Sequence, residues 1–465
     1  MKIAFYMMGG YAKVLRRCVD FLPGVEASAV CPNWQSYKEA ELEPRLTDID
    51  YLYANFNELF DQIDVSGFCE RFSSINLYEV LLVDKAHFKN RTGDYQLRYI
   101  CAVGQRLLEI FEKTRPDCLL LPIIETIDSM MAYRLAQCLG IRPIIYAHGR
   151  FSNLSFFSDS HYELLPPYLE SLESSEADDI WAQAFIEDYR ARPAPFNYRP
   201  ALEGGDVYPD FQEKHGSLFR LLRNVWLKTG VEKHNRMIRL WISFQVRFQH
   251  LFLPVRNFLY GLKEKYYIRP RQIPEGSFDF FPLHFSPESS INVPAAFYID
   301  QTRVVDRILL DRQGNDPLVV KEHPAMYGFR PSGFYRSLLH RPMVHFVHRK
   351  TPSFELIRKA RTVYSVTGTA CLEAFFLGIK WIQYGDNFLS DWIRRRQARA
   401  MDCSPEAFIR DVRRVSSDFV LYSPGRSLAD DQILFAKSNV QKLSTHLLFH
   451  IKQGNRFRKP EQKEG

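Results

Sequence analysis

No C-x-x-C pair occurs in the chain, although eight cysteines are scattered through it, at Cys18, Cys31, Cys69, Cys101, Cys118, Cys138, Cys371 and Cys403. That spacing argues against a zinc cage or a dithiol redox motif. Several thiols sit in apolar runs such as Asp117-Cys118-Leu119-Leu120-Leu121, where cysteine acts as a small hydrophobe, and a reducing compartment is the simpler reading. No uncharged apolar stretch of about 18 residues appears, so no spanning helix is expected. The opening residues, Met1-Lys2-Ile3-Ala4-Phe5-Tyr6, read as a first strand and not as a secretory leader, which points to the cytoplasm. There is no G-x-x-x-x-G-K-[ST] phosphate loop, and Gly9-Gly10 is only a fragment of G-x-G-x-x-G. No repeat or low-complexity tract stands out.

What is present is enough for real cores. Of the 465 residues, 46% are hydrophobic and 14% aromatic, which suits two or three domains. The formal net charge of +7 favours acidic partners such as phosphates, sugar acids or anionic lipid, and is equally compatible with a solvated basic surface.

Residues 1–157 alternate strand and helix patterns. Ile3–Met7 and Val25–Cys31 read as strands, Tyr95–Lys113 as a long helix and Cys118–Ile124 as a buried strand in which Pro122 lacks a ladder donor. Ser129–Leu139 reads as a helix and Pro143–Ala147 as a further buried strand. From 158 to 276 the pattern changes: an acidic helix over Tyr168–Tyr189, a proline-rich loop, then a basic, aromatic segment, Leu218–Lys265. That segment suits either an anionic membrane surface or a pair of helices packed on a domain. From 277 to 451 strand and helix alternate again. Phe278–Leu283 opens this part; Pro294–Leu310 follows as a helix with Pro294 in its first position. Strands are expected at Pro317–Lys321, Met343–Val347, Arg361–Val366 and Lys380–Tyr384, and helices at Gly333–Leu339, Ser353–Lys359 and Ala370–Leu377. Residues 452–465 read as a loose charged tail. The expected fold is therefore α/β, with two Rossmann-like domains facing a cleft (the GT-B arrangement) and a helical basic insertion between them.

Candidate functional residues lie where strands end. Val319-Val320-Lys321-Glu322-His323-Pro324 delivers an ammonium and an imidazole to a strand's carboxyl end, chemistry that suits an anion, although a hydrogen-bonded surface histidine reads about as well. Tyr364-Ser365-Val366-Thr367-Gly368-Thr369 runs into a helix that Thr369 is placed to cap, with Glu373 close behind; this is a phosphate-binding pattern or an ordinary N-cap. Glu125 follows the apolar run Leu119–Ile124 at a strand's carboxyl end, and Glu288 sits in the loop that opens the second half; both suit acid/base or nucleophilic work, or simply helix capping or a salt bridge. His148-Gly149-Arg150 ends another strand and suits an acidic acceptor or a plain turn. Asp48-Ile49-Asp50 fits a short metal-binding pattern that matches by chance often, and neither metal nor cofactor is expected.

At these residues the chain resembles the capsule polysaccharide biosynthesis family, which includes β-Kdo transferases. The similar pieces are Phe281-Pro282-Leu283-His284-Phe285-Ser286-Pro287-Glu288, Tyr298-Ile299-Asp300-Gln301, Val320 through Arg330, and Val366 through Gly378. The resemblance is clearest over residues 278–386 and fainter in the first half, at Glu125 and His148-Gly149. It implies a glycosyltransferase of surface polysaccharide synthesis. Lys321, His323 and Pro324, with Ser365, Thr367, Gly368, Thr369 and Glu373, would hold a CMP-activated donor of Kdo or a related acidic sugar. Glu125 and Glu288 would be the catalytic pair, and His148 and Arg150 would meet a polysaccharide or glycolipid acceptor. Some family members carry Asp where Glu288 aligns, which leaves its nucleophilic role open. Two other readings fit the residues: a teichoic-acid-type polyol-phosphate transferase with a CDP donor, and a non-catalytic partner in polysaccharide assembly or export. No nucleic-acid partner is implied.

Overall fold

The computed structural model describes residues 1–84, 88, 91–152, 154–194, 259, 273–286, 289–323, 326, 330–331, 333–347, 351–421 and 432–458. The basic segment Leu218–Lys265, but for Leu259, and with it the expected membrane surface, lies outside the described residues.

Short apolar runs form two sheets. The first contains β1 (Lys2–Tyr6), β2 (Glu26–Cys31), β3 (Leu46–Tyr51), β4 (Cys118–Leu121), β5 (Arg142–His148) and β6 (Ser155–Ser158). Their order is β3-β2-β1-β4-β5-β6, parallel except for the antiparallel β6. The second contains β7 (Asp279–Pro282), β8 (Leu318–Lys321), β9 (Val344–Val347), β10 (Thr362–Ser365) and β11 (Lys380–Gln383), ordered β11-β10-β7-β8-β9 and all parallel. Both sheets are Rossmann-like. In each, the chain starts at an inner strand, winds outward and then reverses, leaving a switch point between β1 and β4 and another between β7 and β10.

Near-continuous apolar strands follow from burial on both faces. One face of the first sheet contributes Ala4, Tyr6, Leu119 and Leu121 to a core with the helix Gly93–Thr114, and the other contributes Ile3, Phe5 and Leu120 to a second core. The two halves also share a core: Phe151 and Phe156 of the first pack with Phe376, Phe388 and Trp392 of the second, and with Ile186 of the helix Glu176–Ala191.

Several elements depart from the sequence expectation. Strand β4 stops at Leu121, ahead of Pro122, so the missing donor falls outside the ladder. The expected helix from Pro294 is instead a short 3-10 turn, Ala296–Tyr298, and then a helix, Gln301–Asp311. Pro294 does not open that helix; the Asp300 side chain caps it by accepting the Thr302 N–H. The expected Tyr168–Tyr189 helix is a 3-10 turn at Pro167–Ser171 followed by a helix that starts after a capping box at Ser175. The last helix, Lys437–Arg458, passes well into the expected tail. It buries Val440, Leu443, Leu447 and Ile451 against Ile3, Phe5 and Leu120 of the first half, while His446 reaches the Val415 carbonyl at 2.8 Å. All eight cysteines are free, and no helix among the described residues is long and apolar enough to cross a membrane.

Candidate functional site

The candidate site is built where three neighbouring strands of the second sheet, β10, β7 and β8, end. Apolar residues anchor each strand, and the first polar residues beyond them emerge along one edge. β7 delivers His284, β8 delivers Lys321 and His323, and β10 delivers the turn Ser365–Thr369.

His284 and the turn touch directly across the switch point. The Val366 N–H donates to His284 Nε2 at 3.1 Å, and Ser365 Oγ lies 3.2 Å from the same nitrogen. Ser365 Oγ also accepts the Gly368 N–H at 3.0 Å. The expectation that Thr369 caps the following helix is not met: its side chain makes no cap bond, and the hydroxyl that closes this turn belongs to Ser365. That helix, Ala370–Phe376, is only seven residues long, so its dipole is slight. The Thr367 hydroxyl is committed to the Ser290 carbonyl at 2.6 Å. Gly368 sits so close to His284 that a Cβ there would lie 2.8 Å from the ring's Cε1.

The backbone of His284 is fixed by Gln301, whose amide accepts the His284 N–H at 2.7 Å and donates to its carbonyl at 3.1 Å. Arg330 donates to that same carbonyl at 2.6 Å and forms a buried two-pronged pair with Glu322. The Tyr335 hydroxyl completes the Glu322 environment at 2.6 Å, and the carboxylate also accepts the His323 N–H at 2.6 Å. Glu322 is thus a pillar beneath the site that ties Arg330, Tyr335 and the His323 backbone together.

The electrostatics are one-sided. Burial, then His323, Arg330 and Arg150, hold His284 down at about 3. Burial, then Arg330 and Lys321, bring His323 to about 4. Both rings are therefore neutral at pH 7, in a positive field. Lys321 itself is buried, donates to Ser353 Oγ at 2.8 Å and is lowered by burial. Glu373 is buried on the helix after the turn, where burial and then its carboxylate raise the Tyr189 phenol, so its charge is felt by the helix Glu176–Ala191. Pro324 and Glu288 lie outside the described residues.

From the first half, the Arg150 N–H donates to His148 Nδ1 at 2.8 Å in a left-handed turn, φ +62° at Arg150. That turn sends the Arg150 guanidinium across to the Thr367 carbonyl at 2.6 Å, with Glu163 at 3.3 Å. Burial and then Arg150 lower His148 to about 4. Of the expected acceptor pair, Arg150 thus links the two halves while His148 accepts from the Arg150 backbone. Glu125 falls four residues beyond β4, its N–H donating to Ser129 Oγ at 3.1 Å just before the capping box at Thr126. A cavity between the halves is lined by Ile123, Ile124 and Arg150 on one side and by Ser290, Val293 and Asn387 on the other. The neighbour of Glu125 and the residue two positions after Glu288 therefore border one space.

Asp48 and Asp50 lie on β3 and share the Lys113 ammonium at 3.0 and 3.1 Å, so the short metal-like pattern is occupied by ion pairs. No metal-ligand cluster occurs among the described residues. His284, Gln301, Glu322 and Arg330 lie in the family-like pieces of the sequence, but no role is assigned to them there. His284 carried a usable signature, since Phe278–Leu283 delivers it to a strand end just as Leu318–Lys321 precedes His323.

No protein-family model and no curated protein matches the chain. Among solved structures it is similar to a β-Kdo 2,7 transferase, KpsC of Thermosulfurimonas dismutans, at 13% identity and a TM-score of 0.38, over 74% of this chain and 89% of that one. A β-Kdo 2,4 transferase of the same organism follows at 12% identity and a TM-score of 0.37, over 66% and 85% of the two chains. The UDP-GlcNAc 2-epimerase of Neisseria meningitidis is similar at 11% identity and a TM-score of 0.22, over 98% and 100%. Likeness at this level carries no argument about chemistry, and the two-Rossmann architecture rests on the sheets themselves.

Proposed function

We propose that the chain is a glycosyltransferase that takes its sugar from a nucleotide-activated donor held at the carboxyl edge of the second sheet. The observation that supports this most is the contact of His284 with the Ser365–Gly368 turn at the β7/β10 switch point, where open α/β sheets bind their ligands. The neutral imidazoles of His284 and His323 sit there among cations, so an anion such as a phosphate gains both donors and favourable charge.

The finer reading follows from the family resemblance of the motifs. The donor is CMP-activated, the sugar is Kdo or a related acidic sugar, and the product is a capsule or other surface polysaccharide grown on a saccharide or glycolipid acceptor. Glu125 and Glu288 are the acid/base and nucleophile candidates, consistent with their flanking residues bordering one cavity. The enzyme works in the cytoplasm, with the basic segment Leu218–Lys265 on the anionic inner face of the membrane; charge removal there should release it from membranes while nucleotide binding stays.

The test is thermal stabilisation of the purified protein by CMP, CDP, UDP and GDP, with His323→Ala alongside. A ligand at a hundred times its Kd adds about 2.7 kcal/mol to apparent stability. A CMP-selective rise that the variant loses is the expected result. A CDP preference would favour the polyol-phosphate transferase, and no rise with any nucleotide would favour the non-catalytic partner.

A further inference from the structure

We propose that His284 is itself a ligand-contacting residue: held as the Nδ1–H tautomer, it donates a hydrogen bond to the donor's phosphate, with Ser365 as the positioning residue behind it. The inference rests on the nucleotide reading of this edge and goes beyond it by naming which group makes the contact.

The tautomer follows from the backbone. The Val366 N–H points at Nε2 at 3.1 Å, so that nitrogen must offer its lone pair, and the ring hydrogen of a neutral imidazole is left on Nδ1. Ser365 agrees. Its oxygen accepts the Gly368 N–H at 3.0 Å, and its own proton has Nε2 at 3.2 Å to go to. The Ser365 hydroxyl is therefore spent inside the turn, as the Thr367 hydroxyl is on the Ser290 carbonyl. Two hydroxyls that the sequence offers as phosphate donors are committed elsewhere, and the donor they support is the imidazole.

The ring is also aimed. Gln301 and Arg330 grip the His284 backbone on both its N–H and its carbonyl. The ring packs on Gly368, with Cε1 2.8 Å and Nδ1 3.4 Å from where a Cβ would stand, so only a residue without a side chain lets the imidazole keep this orientation. Among the described residues no hydrogen-bond partner is recorded for Nδ1. Burial, with His323, Arg330 and Arg150 nearby, keeps the ring neutral without an anion, and the two guanidiniums make the same spot attractive to one.

The deciding experiment is calorimetric titration of the full chain with CMP and, separately, with inorganic pyrophosphate, comparing wild type with His284→Gln and His284→Asn. The Gln carbonyl can replace Nε2 as acceptor for Val366 but carries no N–H at the Nδ1 position. His284→Gln should therefore keep the melting temperature and bind both probes about tenfold more weakly, the loss of one hydrogen bond. Asn puts an amide N–H near the Nδ1 position and should recover part of that affinity. Equal affinity of wild type and His284→Gln for a probe that wild type binds overturns the inference. Binding of pyrophosphate but not CMP would sink the nucleotide reading while leaving the comparison at residue 284 to decide this one; binding of neither sinks both. Should the variants fold poorly, 15N-histidine spectra of the wild type decide. An Nδ1-protonated His284 whose ring proton shifts with pyrophosphate is expected, and an Nε2-protonated ring overturns the proposal.

Discussion

Gly368 has no room for a side chain, because His284 Cε1 and Ser365 Oγ would lie 2.8 and 3.0 Å from its Cβ. Its φ is not in the left-handed region, so close approach and not backbone freedom is what calls for glycine. Gly368→Ala should cost about 1–3 kcal/mol, as overpacking does, and should weaken nucleotide binding by pushing the ring off Val366. Urea midpoints and a CMP titration check both parts. Glu322 carries a different burden: it is 2% exposed and is the counter-charge of Arg330, which is 4% exposed. Glu322→Gln leaves a buried guanidinium without its anion, and about 3 kcal/mol of stability should go with it. A denaturant midpoint close to that of wild type would show that the pair does not anchor this edge.

At the scale of elements, the helix Lys437–Arg458 shows how a stretch polar enough to read as a tail can be structural. Its apolar residues Val440, Leu443, Leu447 and Ile451 recur at helical spacing and close the outer face of the first sheet. Its polar residue His450 is buried as well: the ring lies 2.9 Å from Asp159 and 2.9 Å from the Tyr168 hydroxyl, and Arg142 reaches the carbonyl of Ile451 at 3.2 Å. Leu447→Ala should cost about 2–5 kcal/mol, while Phe457→Ala, at 48% exposure, should change stability by no more than about 0.5 kcal/mol. Comparable midpoints for the two variants would mean the helix is not part of the first half's core.

For the whole molecule, the buried histidines set an acid limit. His148, His323 and His446 are held at about 4 and His284 at about 3, each chiefly by burial, against 6.5 for a free imidazole. Between those values the unfolded chain binds protons that the folded one refuses, so stability falls as pH drops from about 6.5 toward 4. Glu79 and Asp159 act in the same direction but at lower pH. Their partners, His161 and Arg134 for Glu79 and His450 and Arg142 for Asp159, hold them at about 2 despite burial, so their contribution persists until the pH drops below about 4. The melting temperature should therefore decline steadily from pH 7 to 4.5, and phosphate-bearing ligand should offset part of the decline by favouring protonated His323. A flat profile over that range would contradict the buried, neutral state of these rings.

What the sequence determined by itself is local: apolar strands and the polar residues delivered to their ends, as at Lys321, His323 and Ser365–Thr369, while the helix expected from Pro294 starts after Asp300 and Thr369 makes no cap bond. Strand identity and end chemistry are legible because apolar runs and turn residues act over a few neighbours. The pairing order β11-β10-β7-β8-β9 is not legible, since nothing within β7 says that β10 lies on one side of it and β8 on the other. That order alone put His284 against Val366 and Ser365, eighty-odd residues away, and spent the Ser365 and Thr367 hydroxyls on protein partners. Packing between the two halves, also absent from the local sequence, links Arg150 to the Thr367 carbonyl. A hydrogen-bonding group acquires a function only once its other partners are known, and those partners are fixed by packing between segments distant in sequence.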